Sequence, residues 1–515
     1  MRQGLLIFIT GFAAFGQGSD ISSSRIRPHV KFLASDLLEG RGVGTRGGEL
    51  AATYIASQFE AAGLKPAGDN GTFFQKVSLV GVEPEASSSL TAVAGGKQVP
   101  IKWLDGFVGN TQQQKQQSAF DAEAVFAGHG ITAPEFGWSD YDGIDVKGKV
   151  VVLFTNEPPS TDGKFFEGKA LTYYGRWTYK YEEATRRGAI ACIILHTTPT
   201  AGYNWSVVRG SWGKEDPQVK LNPGEQAMAL AGWVTEEAAG QLAGLAGKNV
   251  AQLLEAANTT GFRAYPMGFR IKGTINAKIR PIETSNVAGI VPGSDTTLTK
   301  EAIIFSAHWD HLGISVPVNG DSIYNGAVDN ASGCAMLIEM ARAWSTLSRK
   351  PKRSALFLAV TAEESGLRGS EYYAKHPLLP TAKTLLNLNF DSFYPFGRVK
   401  DVVVTGAERT KFFPVVQETA RRFNLKITPD PEPEQGHYFR SDHFEFNKVG
   451  IPAFSINMGK EYEGKPADFG TTIFEKYNEK NYHNPSDEYK DDWDFAGIEQ
   501  MARFGFTIGL SVANR

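Results

Sequence analysis

The sequence predicts an α/β protein built on an open, mostly parallel sheet flanked by helices, and three observations predict it. Short apolar runs at Ala302–Ala307, Ala355–Thr361 and Thr384–Leu388 read as buried strands. Stretches of helical periodicity, such as Gly333–Leu347 and Phe412–Phe423, alternate with them. Each run ends on imidazole or carboxylate side chains: His308 and Asp310, Glu363 and Glu364, and Asp391. Ligands bind beyond the carboxyl ends of the strands in such sheets, so acids and histidines gathered at one edge point to a metal site.

The chain has 515 residues, 42% hydrophobic and 21% charged, which is ordinary globular composition and too long for one compact core. Two or more domains are expected. A net charge of -3 without a long basic block argues against nucleic acid or an anionic membrane surface as partner. Met1-Arg2-Gln3, the apolar run Gly4–Phe15 and the small residues after it have the layout of an export signal cleaved near Gly16. That layout implies a periplasmic or secreted protein. The run is short for a bilayer span, no cysteine follows it to carry a lipid, and no later stretch reads as a transmembrane helix. Cys192 and Cys334 sit in separate apolar runs and read as buried free thiols. Any metal must therefore be held by oxygen and nitrogen.

Taken in order, Ile26 to Leu37 and Leu50–Ala62 carry helical apolar patterns. Between them Glu39-Gly40-Arg41-Gly42, Gly44 and Gly47-Gly48 form a glycine-rich loop. It lacks the Lys-Ser/Thr of a phosphate loop, follows no strand and reads as a flexible connector. Val77–Lys102 alternates like antiparallel strands, and the polar Thr111–Ser118 reads as a linker and domain boundary. Phe120–Lys272 has its own rhythm of strands (Glu123–Phe126, Val150–Phe154, Ala189–Leu195) and a helix (Tyr181–Arg187). His129 and His196 lie there without acids at ligand spacing and read as structural. From Ile279 the α/β pattern resumes with strands at Asn286–Val291 and Ile451–Asn457, a loop at Thr428–Gln435 and a closing helix at Phe495–Val512.

The chemistry concentrates in the last region. His308 is expected to bind a metal through one ring nitrogen while Asp310 fixes the other. Adjacent residues leaving a strand point different ways, so of Glu363 and Glu364 one suits a ligand and the other a general base. Asp329, before an apolar helix, would pass alone for an N-cap, and His483 alone for a surface histidine. Together, His308, Asp329, Glu364, Asp391 and His483 make two histidines and three carboxylates, with Glu363 left free. Such ligands suit Zn²⁺, with Mn²⁺ or Co²⁺ as substitutes. A carboxylate can bridge two ions roughly 3.5–4 Å apart. The expected chemistry is hydrolysis, with Glu363 taking a proton from water and returning it to a leaving amine.

These residues carry a resemblance. Ala307-His308-Trp309-Asp310, Gly326–Asn330, Glu363–Ser370, Asn389-Phe390-Asp391 and Tyr482-His483 resemble the di-zinc aminopeptidases of metallopeptidase family twenty-eight, relatives of glutamate carboxypeptidase II and the transferrin receptor. The resemblance implies that Asp329 bridges two Zn²⁺ ions, with His308, Glu364, Asp391 and His483 completing their shells. Glu363 would be the base, Asp310 the partner of His308, and Tyr482 a donor to the oxyanion. Asn330, Arg440, Ser441, Asp442 and His443 would lie at the substrate pocket. The implied fold is a mixed, mostly parallel central sheet flanked by helices. Residues 22–115 would be the N-terminal part of the peptidase domain, 118–275 an inserted β-rich protease-associated domain, and 279–515 the catalytic domain. The long segment between His308 and Asp329, including His311-Leu312-Gly313, departs from the pattern, so substrate preference does not carry over. Peptides are the expected partners. An aminopeptidase is the leading expectation. A carboxypeptidase or dipeptidase, with Arg440 or Arg368 reading a substrate carboxylate, a single-zinc glutaminyl cyclase-like transferase and a receptor-like binding protein are the alternatives.

Overall fold

The computed structural model describes residues 20–515, so the expected export signal lies outside the described residues. Three parallel strands form the middle of the main sheet. Ala302–His308 pairs with Ser354–Val360 on one side and with Thr384–Phe390 on the other, and Ala453–Met458 follows beyond. All seven side chains of Ala302–His308 and of Ser354–Val360 are buried. A parallel strand covered on both faces has no place for a polar alternation, which is why these runs are continuously apolar.

The register aligns the reactive ends. His308 stands opposite Val360, and Ser306 opposite Asn389. The residues that follow each strand therefore leave the sheet at the same edge. Successive side chains take opposite faces. Ile303, Phe305 and Ala307 enter one large core with the helices Ser23–Leu33, Arg46–Ala61, Ser332–Ser345 and Ala496–Ala513. Ile304 faces the other side, with Leu356, Leu358, Tyr373 and Phe446.

Antiparallel strands complete the sheet. The strand Tyr265–Val291 pairs through 287–291 with 355–359 and through 277–287 with 74–84, and Asp216–Val219 adds to the edge beyond. Its first half belongs to a second sheet, pairing with Ser89–Ala94 and Gln117–Phe126. Parallel strands Val150–Leu153, Ala191–Leu195 and Leu230–Val234 continue that sheet, and Phe107–Asn110 closes it. The second sheet thus reaches back before residue 118, and Asp216–Val219, inside the expected insert, serves the main sheet. Thr111–Ser118 is not a free linker. Both end residues are buried, and their hydroxyls meet at 2.7 Å. Both cysteines are buried and free. No helix among the described residues is long and apolar enough to cross a membrane.

Candidate metal centre

The strand ends deliver their side chains to one buried space. His308 is the last residue of its strand, and its Nδ1 donates to the main-chain carbonyl of Asp310 at 3.2 Å. Its Nε2 lies 3.2 Å from Asp329 Oδ1 and 3.2 Å from Asp391 Oδ1. On the far side of Asp329, His483 Nε2 lies 3.3 Å from Asp329 Oδ2 and 3.1 Å from Glu364 Oε2. The two oxygens of one carboxylate therefore face two different imidazoles. His483 Nε2 is buried and makes a hydrogen bond to neither neighbour. Among the described residues, two groups have potential ligand atoms that all lie within 4.8 Å of one another: His308, Asp329 and Asp391, and His311, Asp329 and Glu364. An imidazole nitrogen and carboxylate oxygens converging without hydrogen-bond geometry fit cations, and nitrogen with oxygen donors fit zinc.

Electrostatics point the same way. Burial alone would lower the His308 pKa, but Asp391 and Glu363 carry it well above the usual imidazole range. Burial would raise Asp329, but the imidazoles of His308 and His483 beside its two oxygens hold it well below the usual carboxylate range. Burial pushes Glu363 well above that range; His308 opposes the shift, while Glu364 and Asp391 add to it. Carboxyl groups crowded in one buried space call for positive charge.

The expected roles fall out unevenly. The Asp310 carboxylate stands 3.9 Å from His308 Nδ1, too far for a hydrogen bond. It accepts instead the main-chain amides of Glu363 at 3.1 Å and Glu364 at 3.3 Å. Asp310 thus fixes the glutamate pair, and its own carbonyl fixes His308. The Glu363 carboxylate makes no hydrogen bond or ion pair among the described residues. Tyr482 is 45% exposed, with its ring stacked on His483 at 3.9 Å.

Of the expected pocket residues, most turn inward. Asn330 is buried, donates to Phe390 O at 3.0 Å and accepts the amides of Gly333 and Ser392. These bonds tie the loop after Asp329, and the side chain is fully buried. Ser441 Oγ donates to Asp391 Oδ2 at 2.6 Å, so it orients a candidate ligand. Asp442 accepts Ser370 Oγ at 2.6 Å, and His443 is buried against Tyr438. Burial pushes Asp442 up to about 7 and His443 down to about 4. Arg440 alone is exposed. Arg368 is taken by Asp216, Glu371 and the carbonyl of Pro217.

Three residues without an assigned role in the sequence belong here. His311 Nδ1 lies 2.6 Å from Glu364 Oε1. Asp487 accepts the amides of Val328 and Asp329. Arg41 is 1% exposed and donates to the carbonyls of Leu33, Trp309, Asn325 and Gly326. The glycine-rich loop is accordingly no flexible connector. Gly40, at φ +68°, lies so close to Gly313 and Tyr324 that a Cβ would come within 2.5 Å of their carbonyl oxygens. An arginine amid glycines was the available signal: the glycines admit the backbone contact, and the arginine fastens it.

Residues 286–504 match the model of Peptidase family M28. Leupeptin-inactivating enzyme 1 of Streptomyces exfoliatus is 30% identical over 178 residues, which are 32% of this chain and 38% of that protein. Aminopeptidase NAALADL1 of Mus musculus is 31% identical over 133 residues, 25% of this chain and 16% of that protein. The matches thus span well under half the length of these curated relatives. A solved aminopeptidase from Aneurinibacillus sp. strain AM-1 aligns over 95% of this chain and 93% of its own, with a TM-score of 0.51 at 19% identity, a likeness of fold.

Proposed function

We propose that this chain, with its match to Peptidase family M28, is a zinc-dependent exopeptidase that releases N-terminal residues from peptides and holds two Zn²⁺ ions. The observation that carries the reading is Asp329, whose two oxygens face His308 and His483 separately. His308 and Asp391 would hold one ion, Glu364 and His483 the other, with Asp329 between. When bound, such ions supply Lewis acidity and lower the pKa of water.

The chain's own groups perform the proton transfers. The Glu363 carboxylate, free of hydrogen bonds among the described residues, accepts the proton of the attacking water and returns it to the leaving amine. Asp310 keeps it in place through the Glu363 amide. Tyr482 donates from the rim to the oxygen on which charge develops. Partial burial, followed by the charges of Asp329 and Glu364, holds its phenol above the usual range, so it stays a proton donor. The connection between the second sheet's strands Val150–Leu153 and Ala191–Leu195, whose residues 171–176 pack on residues 433–444 through Leu171 N to Pro433 O at 3.0 Å and Tyr173 against Phe444 at 4.6 Å, acts as a wall of the substrate cleft. The composition of residues 1–16 supports action outside the cytoplasm.

One observation favours a carboxypeptidase instead. The Arg440 guanidinium makes no ion pair among the described residues, and it follows in sequence directly on Phe439, against which Tyr173 of the second sheet's region packs. Hydrolysis of one short peptide, free and N-acetylated, with and without a chelator, separates the readings. Cleavage of the free form alone, stopped by the chelator, supports the aminopeptidase. Equal cleavage of both forms sinks it and moves the assignment to the carboxypeptidase.

A further inference from the structure

His311 is 2% exposed, and its ring has one polar contact among the described residues, Nδ1 to Glu364 Oε1 at 2.6 Å. Its Nε2 is buried without a partner. Because the carboxylate accepts, Nδ1 carries the proton. Glu364 consequently divides its two oxygens between two histidines: Oε1 to His311 and Oε2 to His483 Nε2 at 3.1 Å.

The ring is held from three sides. The His311 amide donates to the main-chain carbonyl of Arg41 at 3.3 Å. Arg41 in turn clamps the carbonyls of Trp309, Asn325 and Gly326. Gly326, at φ +57°, lies beneath the ring so closely that a Cβ there would come within 2.6 Å of it. The His311 and His483 rings meet edge to face at 5.7 Å between centroids.

We propose that His311 is a positioning residue of the metal centre: its Nδ1–H holds Glu364 Oε1, so that Oε2 is presented to the space shared by Asp329 and His483. The inference rests on the metal reading given above. A carboxylate ligand fixed by a hydrogen bond binds with less ordering on arrival, and loss of such a partner weakens metal affinity by roughly 10–100-fold. The competing role, direct ligation by His311, would use a ring nitrogen already engaged at 2.6 Å or Nε2.

The test is zinc affinity, measured on the full chain by competition with a chromophoric chelator, for wild type and for His311→Ala, His311→Asn and His311→Gln. Asparagine places an N–H where Nδ1 stands, and glutamine where Nε2 stands. The expected result is a loss of roughly 10–100-fold in affinity for one of two ions in His311→Ala, substantially restored by His311→Asn and not by His311→Gln, with the thermal midpoint of the zinc-free proteins alike. Should His311→Ala fail to fold, the Asn and Gln variants decide the matter between them. Wild-type affinity in His311→Ala, or rescue by Gln and not Asn, overturns the inference and leaves the metal reading standing. Wild-type protein that takes up no zinc overturns the metal reading itself, and this inference with it.

Discussion

The carboxylate of Asp487 accepts the main-chain amide of Asp329 at 3.1 Å. The same group accepts the Val328 amide at 3.1 Å and the Tyr477 hydroxyl at 2.9 Å. The residue between the two imidazoles is thus placed through its backbone by an acid that touches neither imidazole. Burial pushes Asp487 up to about 6.

Asp487→Ala should therefore weaken zinc binding and activity together, and lower stability by about 1–3 kcal/mol for each of the two amides left without an acceptor. Asp487→Asn, which keeps one acceptor oxygen, should retain more of both. Urea unfolding with zinc titration checks this. Equal stability and affinity in wild type and Asp487→Ala would refute the positioning role.

Arg41 fastens the N-terminal helices to the loops that carry His308 and Asp329. Its four carbonyl partners leave no carboxylate in the set. Arg41→Met should cost at least ~3 kcal/mol, since hydrogen bonds to a charged group contribute roughly 1.5–3 kcal/mol each and the carbonyls stay buried. Arg41→Lys should recover only part, because an ammonium lacks the planar fork. Denaturant unfolding gives the numbers; a loss under about 1 kcal/mol, the scale of an ordinary neutral hydrogen bond, would show the clamp to be dispensable.

His129 makes a pH prediction away from the metal centre. Burial, helped by the charge of Lys180, pushes its pKa from 6.5 to about 4. Between those values the unfolded chain binds a proton that the folded chain refuses, so this contribution to stability is full above pH 6.5 and falls as pH drops toward 4. Asp140 slopes the other way, since burial raises it to about 6. The readout is thus the difference between wild type and His129→Gln, whose amide can keep the 2.8 Å bond to Asn258. The variant should lose less stability between pH 7 and pH 5, by an amount bounded at about 2 kcal/mol. Parallel pH curves would contradict the assignment.

Much of this architecture is legible in the sequence because burial on both faces leaves a mark. Ala302–Ala307 and Ala355–Thr361 could be read as strands, and the acids after them as an edge site, since parallel strands covered by helices are apolar throughout. Asp329 and His483 were legible only as members of the set. What escaped depends on contacts that no local pattern encodes. Asp310 lies two residues from His308, a spacing that suggests a carboxylate–imidazole pair. The chain turns so that its carbonyl meets the ring and its carboxylate meets the Glu363 and Glu364 amides. Arg41 and Asp487 act across more than 150 residues of sequence on backbone groups. Thr111–Ser118 looked like a linker because it is polar, whereas its end hydroxyls satisfy each other in the interior.

The most direct test of the account is Glu363→Gln, assayed for bound zinc and for turnover on the same preparation. The glutamine keeps the main-chain amide that Asp310 accepts and removes only the base. The account predicts two zinc ions per chain, as in wild type, and turnover lower by roughly 10²–10⁴. Turnover within a few-fold of wild type, with zinc still bound, would contradict it.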